Sequence, residues 1–199
     1  TFFIAVMQGG ALNYNHPFII ICFIISIITF ILFIIVEKKA DEPMLDLDIF
    51  KSKLFSISIF CSFLSFVAIF CLLMVNPFYL QYTMKYTPAF TGLLMMFYSV
   101  ILTLAALFSG VLSDKIGSEL LILIGLITMG IGFFLMTILS ISTPISVFLV
   151  LVAIIGFGAG LFQSPNNSLV MSTVSKDKLG IAGSVNALVR NIGMSVGIA

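Results

Sequence analysis

A stripe of small and polar residues lies near the end of the chain. Gly183, Asn186, Arg190, Gly193 and Gly197 follow one another at spacings of 3, 4, 3 and 4, so they share one side of a helix. A guanidinium deep in an apolar helix costs at least ~2.5 kcal/mol in a bilayer unless it meets water or a partner. Arg190 therefore either snorkels or bonds backbone carbonyls in a packed bundle, or lines an aqueous cavity together with Asn186. The second interpretation is favoured because Asn186 shares its face, and the three glycines are assigned to helix packing.

A second stripe precedes the first. Gly156, Gly160, Gln163 and Asn167 are spaced by 4, 3 and 4 residues. The glycines allow close approach of helices, while the two amides are candidates for lining the same cavity. Pro165 falls within the polar stretch "QSPNNS" and frees a backbone carbonyl. This stretch predicts either a kinked helix lining an inner vestibule or a simple helix end.

The third candidate is the turn "GVLSDKIGSELL", which starts at Gly110. Gly117 suits a position of positive φ in a tight reversal, and Ser118 is predicted to cap the following helix. Lys115 is an anchor at the membrane surface. Asp114 opposes the dipole of the helix that it ends, so we expect it to have a partner on another helix.

The composition indicates the class of protein in which these residues lie. Of 199 residues, 61% are hydrophobic and only 9% are charged, against about a quarter charged in soluble domains. A membrane-spanning helix needs roughly 20 apolar residues, so the chain holds about six or seven spans. We predict an all-α, polytopic transmembrane helical bundle in contact with the lipid bilayer.

Other classes of protein are disfavoured. A net charge of +1 argues against nucleic-acid binding, and the three cysteines lie in apolar runs without metal-ligand spacing. Neither a Ser/His/Asp set nor a phosphate-binding glycine loop is present. We therefore expect no enzyme, no metal site and no cofactor.

The uncharged runs predict five whole spans and two partial ones. A partial piece covers residues 1–12, and the last run starts near Ile181 and continues to the end of the chain. The whole runs are 18–36, 55–82, 90–112, 120–141 and 144–171.

The lysines predict how the spans are oriented. Seven lie in the segments 37–53, 113–119 and 173–180, and Lys85 alone lies in the intervening loops. Cytoplasmic loops carry the excess of basic residues, so these three segments are predicted to be cytoplasmic.

The turn that starts at Gly110 also resembles a known family motif. Gly110, Asp114, Lys115 and Gly117 fit the Gly-x-x-x-Asp-(Arg/Lys)-x-Gly loop of major facilitator superfamily transporters. "EPMLDLDIF", "GFGAGLFQSPNNSLVM" and "GIAGSVNALVRNIGMSVGIA" look like parts of the C-terminal lobe of the 14-span drug:proton antiporters, the EmrB/QacA branch. The resemblance covers essentially the whole chain.

This resemblance implies an organisation. Residues 1–36 would hold the end of the first and the whole of the second extra central helix, residues 37–53 a cytoplasmic linker, and residues 54–199 five helices of the C-terminal lobe. The chain would be a C-terminal fragment, whose missing N-terminal lobe is its partner.

The resemblance also implies a function. It is proton-coupled efflux of drugs or lipophilic cations across a bacterial plasma membrane by alternating access, with Asp114 as the acid of an inward-side latch. All eight acids lie in loops or at helix ends, so the coupling carboxylate is expected in the missing lobe. The alternatives are another major facilitator exporter, of a metabolite or lipid-like substrate, and a non-transporting membrane scaffold.

Overall fold

The structure is a computed structural model that describes residues 16–39, 47–140 and 143–199. The predicted partial helix at residues 1–12 and the middle of the predicted linker lie outside this part of the chain. Six α-helices follow one another: α1 Pro17–Lys39, α2 Lys53–Phe78, α3 Pro88–Ile116, α4 Ser118–Met136, α5 Ile145–Ser172 and α6 Leu179–Ile198. Short 3₁₀ helices precede α2 and α6, at Leu47–Lys51 and Lys176–Lys178.

The predicted all-α polytopic fold is confirmed. The described residues contain helices and no strand. Four segments are long and apolar enough to cross a membrane, namely Lys53–Thr83, Pro88–Ile116, Ser118–Met136 and Ile145–Ser172. In addition, α1 is helical over 23 residues.

One predicted helix end is wrong. The run predicted to reach residue 141 ends as a helix at Met136, whereas α3 ends at Ile116, two residues beyond Asp114, which was predicted to lie at its end. Past Met136, the backbone N–H groups of Thr137, Ile138 and Leu139 donate to carbonyls only three residues earlier. Such bonds tighten the last turn of a helix at its end, which hydrophobicity alone does not reveal.

The C-terminal end of α2 is irregular. Pro77 lies inside α2, and a π-helical turn, Tyr79–Thr83, follows it. Lys85 then takes a left-handed backbone conformation, with φ 60°, and Tyr86 N–H donates back to the carbonyl of Leu80 at 3.0 Å. This closure ends the second span as left-handed caps end other helices.

The chain divides into two compact units, Thr1–Cys71 with Thr173–Ala199, and Leu72–Ser172. In the second unit, α5 packs against both α3 and α4. Its buried residues include Phe148, Ile155, Phe162 and Val170, whereas Val150 and Phe157 are exposed. Because both α3 and α4 pack against α5, it is the central helix of this unit.

Glycines set the separation of α4 and α5. A Cβ atom built on Gly125 would lie 2.7 Å from the backbone nitrogen of Phe162 and 2.8 Å from the carbonyl oxygen of Gly158. A Cβ atom on Gly158 would in turn lie 2.8 Å from the carbonyl oxygen of Gly125. The two backbones are therefore in contact through facing glycines, as small residues permit in membrane helices.

In the first unit, α6 packs along α2 in the same direction. Gly193 lies against Phe63 and Phe66, and four residues later Gly197 lies against Val67 and Cys71. The contact advances along both helices together, so α2 and α6 are parallel. Their N-terminal ends therefore lie on the same side of the bundle.

Candidate functional site

The turn between α3 and α4 consists of one residue. Gly117 has φ 89° and ψ 146°, and it is both the C-cap of α3 and the N-cap of α4. The positive φ predicted for it is confirmed. The predicted cap at Ser118 is wrong, because Ser118 is already the first residue of α4 and the cap has no side-chain hydrogen bond. The last turn of α3 contains Asp114, as predicted, and continues for two residues beyond it, to Ile116.

The charged residues of the motif point away from this unit. Asp114 and Lys115 are both exposed in the last turn of α3, as is Glu119 in the first turn of α4. Within the described residues, no hydrogen bond or ion pair joins the Asp114 carboxylate to another group. An uncompensated acid therefore stands at the negative end of a helix dipole.

An open groove lies beside the turn. It has a volume of about 550 Å³ and is lined by residues from both sides of the turn together with Leu169 of α5. Glu119 and Ser118 supply its polar atoms, and Ile116, Leu120 and Leu123 its apolar surface. The motif thus borders an unfilled surface large enough to receive side chains of another helix.

Gly110 is not crowded by the unit in which it lies. A Cβ atom on Gly110 would lie 3.5 Å from the Ser164 hydroxyl oxygen, an ordinary van der Waals contact. Packing within this unit therefore does not require glycine at this position.

The polar stretch of α5 is part of a continuous helix. Pro165 lies inside α5, which continues to Ser172, so the alternative of a simple helix end is wrong. Pro165 cannot donate to the carbonyl of Leu161, four residues earlier. The buried hydroxyl of Ser109 in α3 donates to that carbonyl instead, at 3.1 Å. This bond supplies the partner that a proline-freed carbonyl needs inside a membrane helix.

The second stripe divides into a buried and an open part. A Cβ atom on Gly160 would lie 2.5 Å from the carbonyl oxygen of Leu102, and one on Gly156 would lie 3.0 Å from that of Tyr98. Both glycines are thus in contact with α3. Further along the helix, Gln163 is half-buried and Asn167 is exposed.

The first stripe, on α6, also divides into a buried and an open part. Gly193 is buried against α2, whereas Gly183 and Gly197 are half-buried. Asn186 is half-buried and Arg190 is exposed. The guanidinium is therefore not enclosed by the first unit.

Sequence reasoning missed a polar face on α3. Thr91, Tyr98 and Ser109 are each buried, at spacings of 7 and 11 residues. The hydroxyls of Thr91 and Tyr98 have no hydrogen-bond partner among the described residues. The helical spacing could have revealed them, but single hydroxyl residues in an apolar run carry a weak signal.

A second missed face lies on α2. Ser58, Ser62 and Ser65 are spaced by 4 and 3 residues, and each is less than 5% exposed. These hydroxyls lie among phenylalanine, isoleucine and leucine in the sequence, which conceals their common face.

Residues 2–198 match the family model for the Major Facilitator Superfamily. The chain belongs to the major facilitator superfamily. Membership fits the expectation that the chain is not an enzyme, because members of this superfamily are transporters.

Individual relatives differ in their described substrates. The chain is 32% identical over 180 residues to the riboflavin transporter RibZ of Clostridioides difficile, covering 88% of the chain and 39% of RibZ. It is 31% identical over 176 residues to the multidrug transporter protein MdtP of Bacillus subtilis, covering 88% of the chain and 32% of MdtP. The multidrug resistance protein Stp of Mycobacterium tuberculosis is 27% identical over 195 residues, covering 98% of the chain and 36% of Stp. The chain thus spans less than half the length of these superfamily relatives.

Proposed function

We propose that the chain is the C-terminal part of a proton-coupled multidrug efflux transporter of the 14-span branch, which exports lipophilic drugs or cations from the bacterial cytoplasm. Similarity to MdtP and Stp, both named for multidrug transport or resistance, supports this substrate class. On this proposal the residues from 54 onwards belong to the C-terminal lobe. The segments 37–53, 113–119 and 173–180 face the cytoplasm.

The observation that carries the mechanism is the exposed acid at the α3–α4 turn. Asp114 is exposed, opposes its own helix dipole and has no partner among the described residues. An acid so placed is stabilised by a basic side chain or a helix N-terminus of the N-terminal lobe. Such a contact would hold the inward side closed and break when the transporter opens inward.

Coupling by protons requires a second acid elsewhere. A coupling carboxylate is normally embedded in the membrane with a raised pKa. All five described acids lie at helix ends or in short 3₁₀ helices: Glu37 near the end of α1, Asp114 in the last turn of α3, Glu119 in the first turn of α4, and Asp48 and Asp177 in the two 3₁₀ helices. On this proposal the N-terminal lobe supplies the coupling acid. Gln163 and Asn167 in one unit, and Asn186 and Arg190 in the other, are each candidates for contact with the substrate.

The latch is tested in the intact transporter by Asp114→Asn, which removes the charge and keeps the size. Because coupling between sites amounts to 1–3 kcal/mol, we expect efflux per molecule to fall by about fivefold or more. The assay is efflux of a fluorescent lipophilic cation from energised vesicles, normalised to the amount of transporter. Unchanged efflux per molecule would contradict the proposed role of Asp114 as a latch.

Two control variants separate the latch from folding and from the loss of an acid as such. Asp177→Asn removes an exposed acid from a different segment of the chain and should leave efflux close to wild type. Gly110→Ala should fold normally, because its Cβ atom meets only an ordinary contact. If Gly110→Ala nevertheless lowers efflux, the glycine acts against the other lobe.

RibZ makes a metabolite the second candidate substrate, because it is named a riboflavin transporter and is 32% identical to the chain. The same vesicles can be assayed with riboflavin. Transport of riboflavin without transport of lipophilic cations would favour a metabolite transporter and overturn the multidrug assignment.

A further inference from the structure

A small polar cavity lies where the chain enters α2 and α6. It has a volume of about 190 Å³, room for roughly six water molecules at ~30 Å³ each. We call it the basic cavity; it is lined by Ile49, Ser52, Thr173, Val174, Ser175 and Lys178. Three hydroxyls and one ammonium thus line it, and none of these residues is acidic.

The wall of the basic cavity is fixed by local hydrogen bonds. The Ser56 hydroxyl donates to the carbonyl of Phe50 at 2.8 Å, and Ser52 accepts from the backbone N–H of Phe55 at 3.4 Å. The rings of Phe50 and Phe55 meet edge to face, with their centroids 5.4 Å apart. These contacts hold the 3₁₀ helix Leu47–Lys51 against the first turn of α2.

The charge around the basic cavity is positive. Within the described residues 47–53 and 173–178, which form it, the charged residues are Lys51, Lys53, Lys176, Lys178, Asp48 and Asp177, so four lysines minus two aspartates leave +2. The parallel helices α2 and α6 both begin here, and each directs the positive end of its dipole toward this side. Both features favour an anion.

An apolar groove continues from the basic cavity along the same two helices. It has a volume of about 360 Å³, and its walls include Ile59, Phe60 and Phe63 of α2 and Val189 and Ile192 of α6. Phe60 is 60% exposed.

The basic cavity and the apolar groove share one helix face. Ser52, Ser56, Ile59 and Phe63 follow at spacings of 4, 3 and 4 residues. From Ser52 to Phe63 the rise is about 16 Å, close to half of the ~30 Å hydrocarbon core. The basic cavity and the apolar groove together therefore have about the length of one lipid leaflet.

We propose that this face of the α2–α6 pair binds an anionic phospholipid. The phosphate occupies the basic cavity, where Lys178 supplies charge and Ser52 and Thr173 supply hydroxyls, and one acyl chain lies in the apolar groove across Phe60. Charge selects the headgroup, and the groove selects a lipid over a soluble phosphate. Basic pockets beside helix ends on the cytoplasmic side are suited to anionic headgroups.

The test places a fluorescent reporter in the groove. Residues 1–199 contain no tryptophan, so Phe60→Trp gives a local signal in the intact transporter once any tryptophan elsewhere in it is replaced. The protein is placed in phosphatidylcholine nanodiscs that contain a minor fraction of acyl-brominated phosphatidylglycerol or, in parallel, of acyl-brominated phosphatidylcholine. Bromine quenches the fluorescence only when its acyl chain contacts the ring.

We expect half-maximal quenching at about a fivefold lower fraction of phosphatidylglycerol than of phosphatidylcholine, the factor that one basic residue provides at a membrane surface. Lys178→Gln should remove most of this preference, and Lys178→Arg should retain it. Lys85→Gln, the same change of charge beyond the other end of α2, should leave it intact.

The remaining outcomes overturn the proposal in distinct ways. Equal quenching by both lipids would show that the headgroup is not recognised. Absence of quenching by either lipid would show that another part of the transporter covers the groove. If millimolar inorganic phosphate abolishes the preference, the basic cavity takes a soluble anion. None of these readouts depends on transport, so they leave the proposed efflux function unaffected.

Discussion

At the scale of single residues, the α3–α4 turn depends on the backbone of Gly117. Its φ of 89° and ψ of 146° lie in a region that is costly for residues with a Cβ atom, and occupying such regions costs about 1–3 kcal/mol. No atom lies within 4 Å of a Cβ built there, so the cost is conformational rather than steric. Gly117→Ala should therefore destabilise the protein by about this amount.

Thermal unfolding of the purified intact transporter in detergent measures this effect. Gly180→Ala is the matched control, because Gly180 also has open space around its Cβ position but no positive φ. It should be neutral or slightly stabilising in the first turn of α6. Equal unfolding temperatures for the two variants would contradict a strained turn at Gly117.

At the scale of helices, the close approach of α3 and α5 depends on Gly160. A Cβ atom there would lie 2.5 Å from the carbonyl oxygen of Leu102 and 2.6 Å from the Cβ atom of Ala105. Neither can rotate away, so Gly160→Ala must separate the helices. Overpacking of this kind costs about 1–3 kcal/mol, which would lower the unfolding temperature by several degrees.

Gly130→Ala provides the contrast within the same unit. Gly130 is an exposed helical glycine with nothing within 4 Å of its Cβ position, so alanine should be neutral or stabilising there. If both variants unfold at the wild-type temperature, α3 and α5 are not held together through Gly160.

Helix positions could be predicted from the sequence more fully than helix contacts. Long uncharged runs identify spans because the bilayer demands them. The end of α4 at Met136 coincides with tightened backbone turns at Thr137 to Leu139, and the continuation of α5 through Pro165 is accompanied by a bond from Ser109 in another helix. Pairings between distant residues leave no pattern within either run, so Ser109 was not predicted.

The candidate site was likewise predicted only where its features lie within a single segment of the chain. Helical spacing gave the glycine stripes, and turn chemistry gave the positive φ of Gly117. The facing glycines Gly125 and Gly158 were not predicted, because their role appears only when α4 and α5 are paired. The basic cavity was not predicted either, since Ser52 and Lys178 are far apart in the sequence.

At the scale of the whole molecule, the question is which faces meet water. Arg190 is exposed and lies one helical turn from half-buried Asn186 in α6. A charged guanidinium within a span is tolerated where water or a partner reaches it. If this face lines the transport cavity, a cysteine at position 186 should react with a small water-soluble thiol reagent, because thiols react as thiolates, which form in water.

The experiment uses the intact transporter, in which Cys22, Cys61 and Cys71 are replaced by alanine. Asn186→Cys is compared with Leu188→Cys, which lies on the same helix at an apolar position that is 48% exposed. We expect labelling at 186, protection there by a transported lipophilic cation, and no labelling at 188, where lipid excludes the reagent. Complete protection at 186 with and without substrate would assign the face to helix packing. Arg190 would then be stabilised by backbone carbonyls rather than by water, and the polar half of the cavity would have to come from Gln163 and Asn167 of α5.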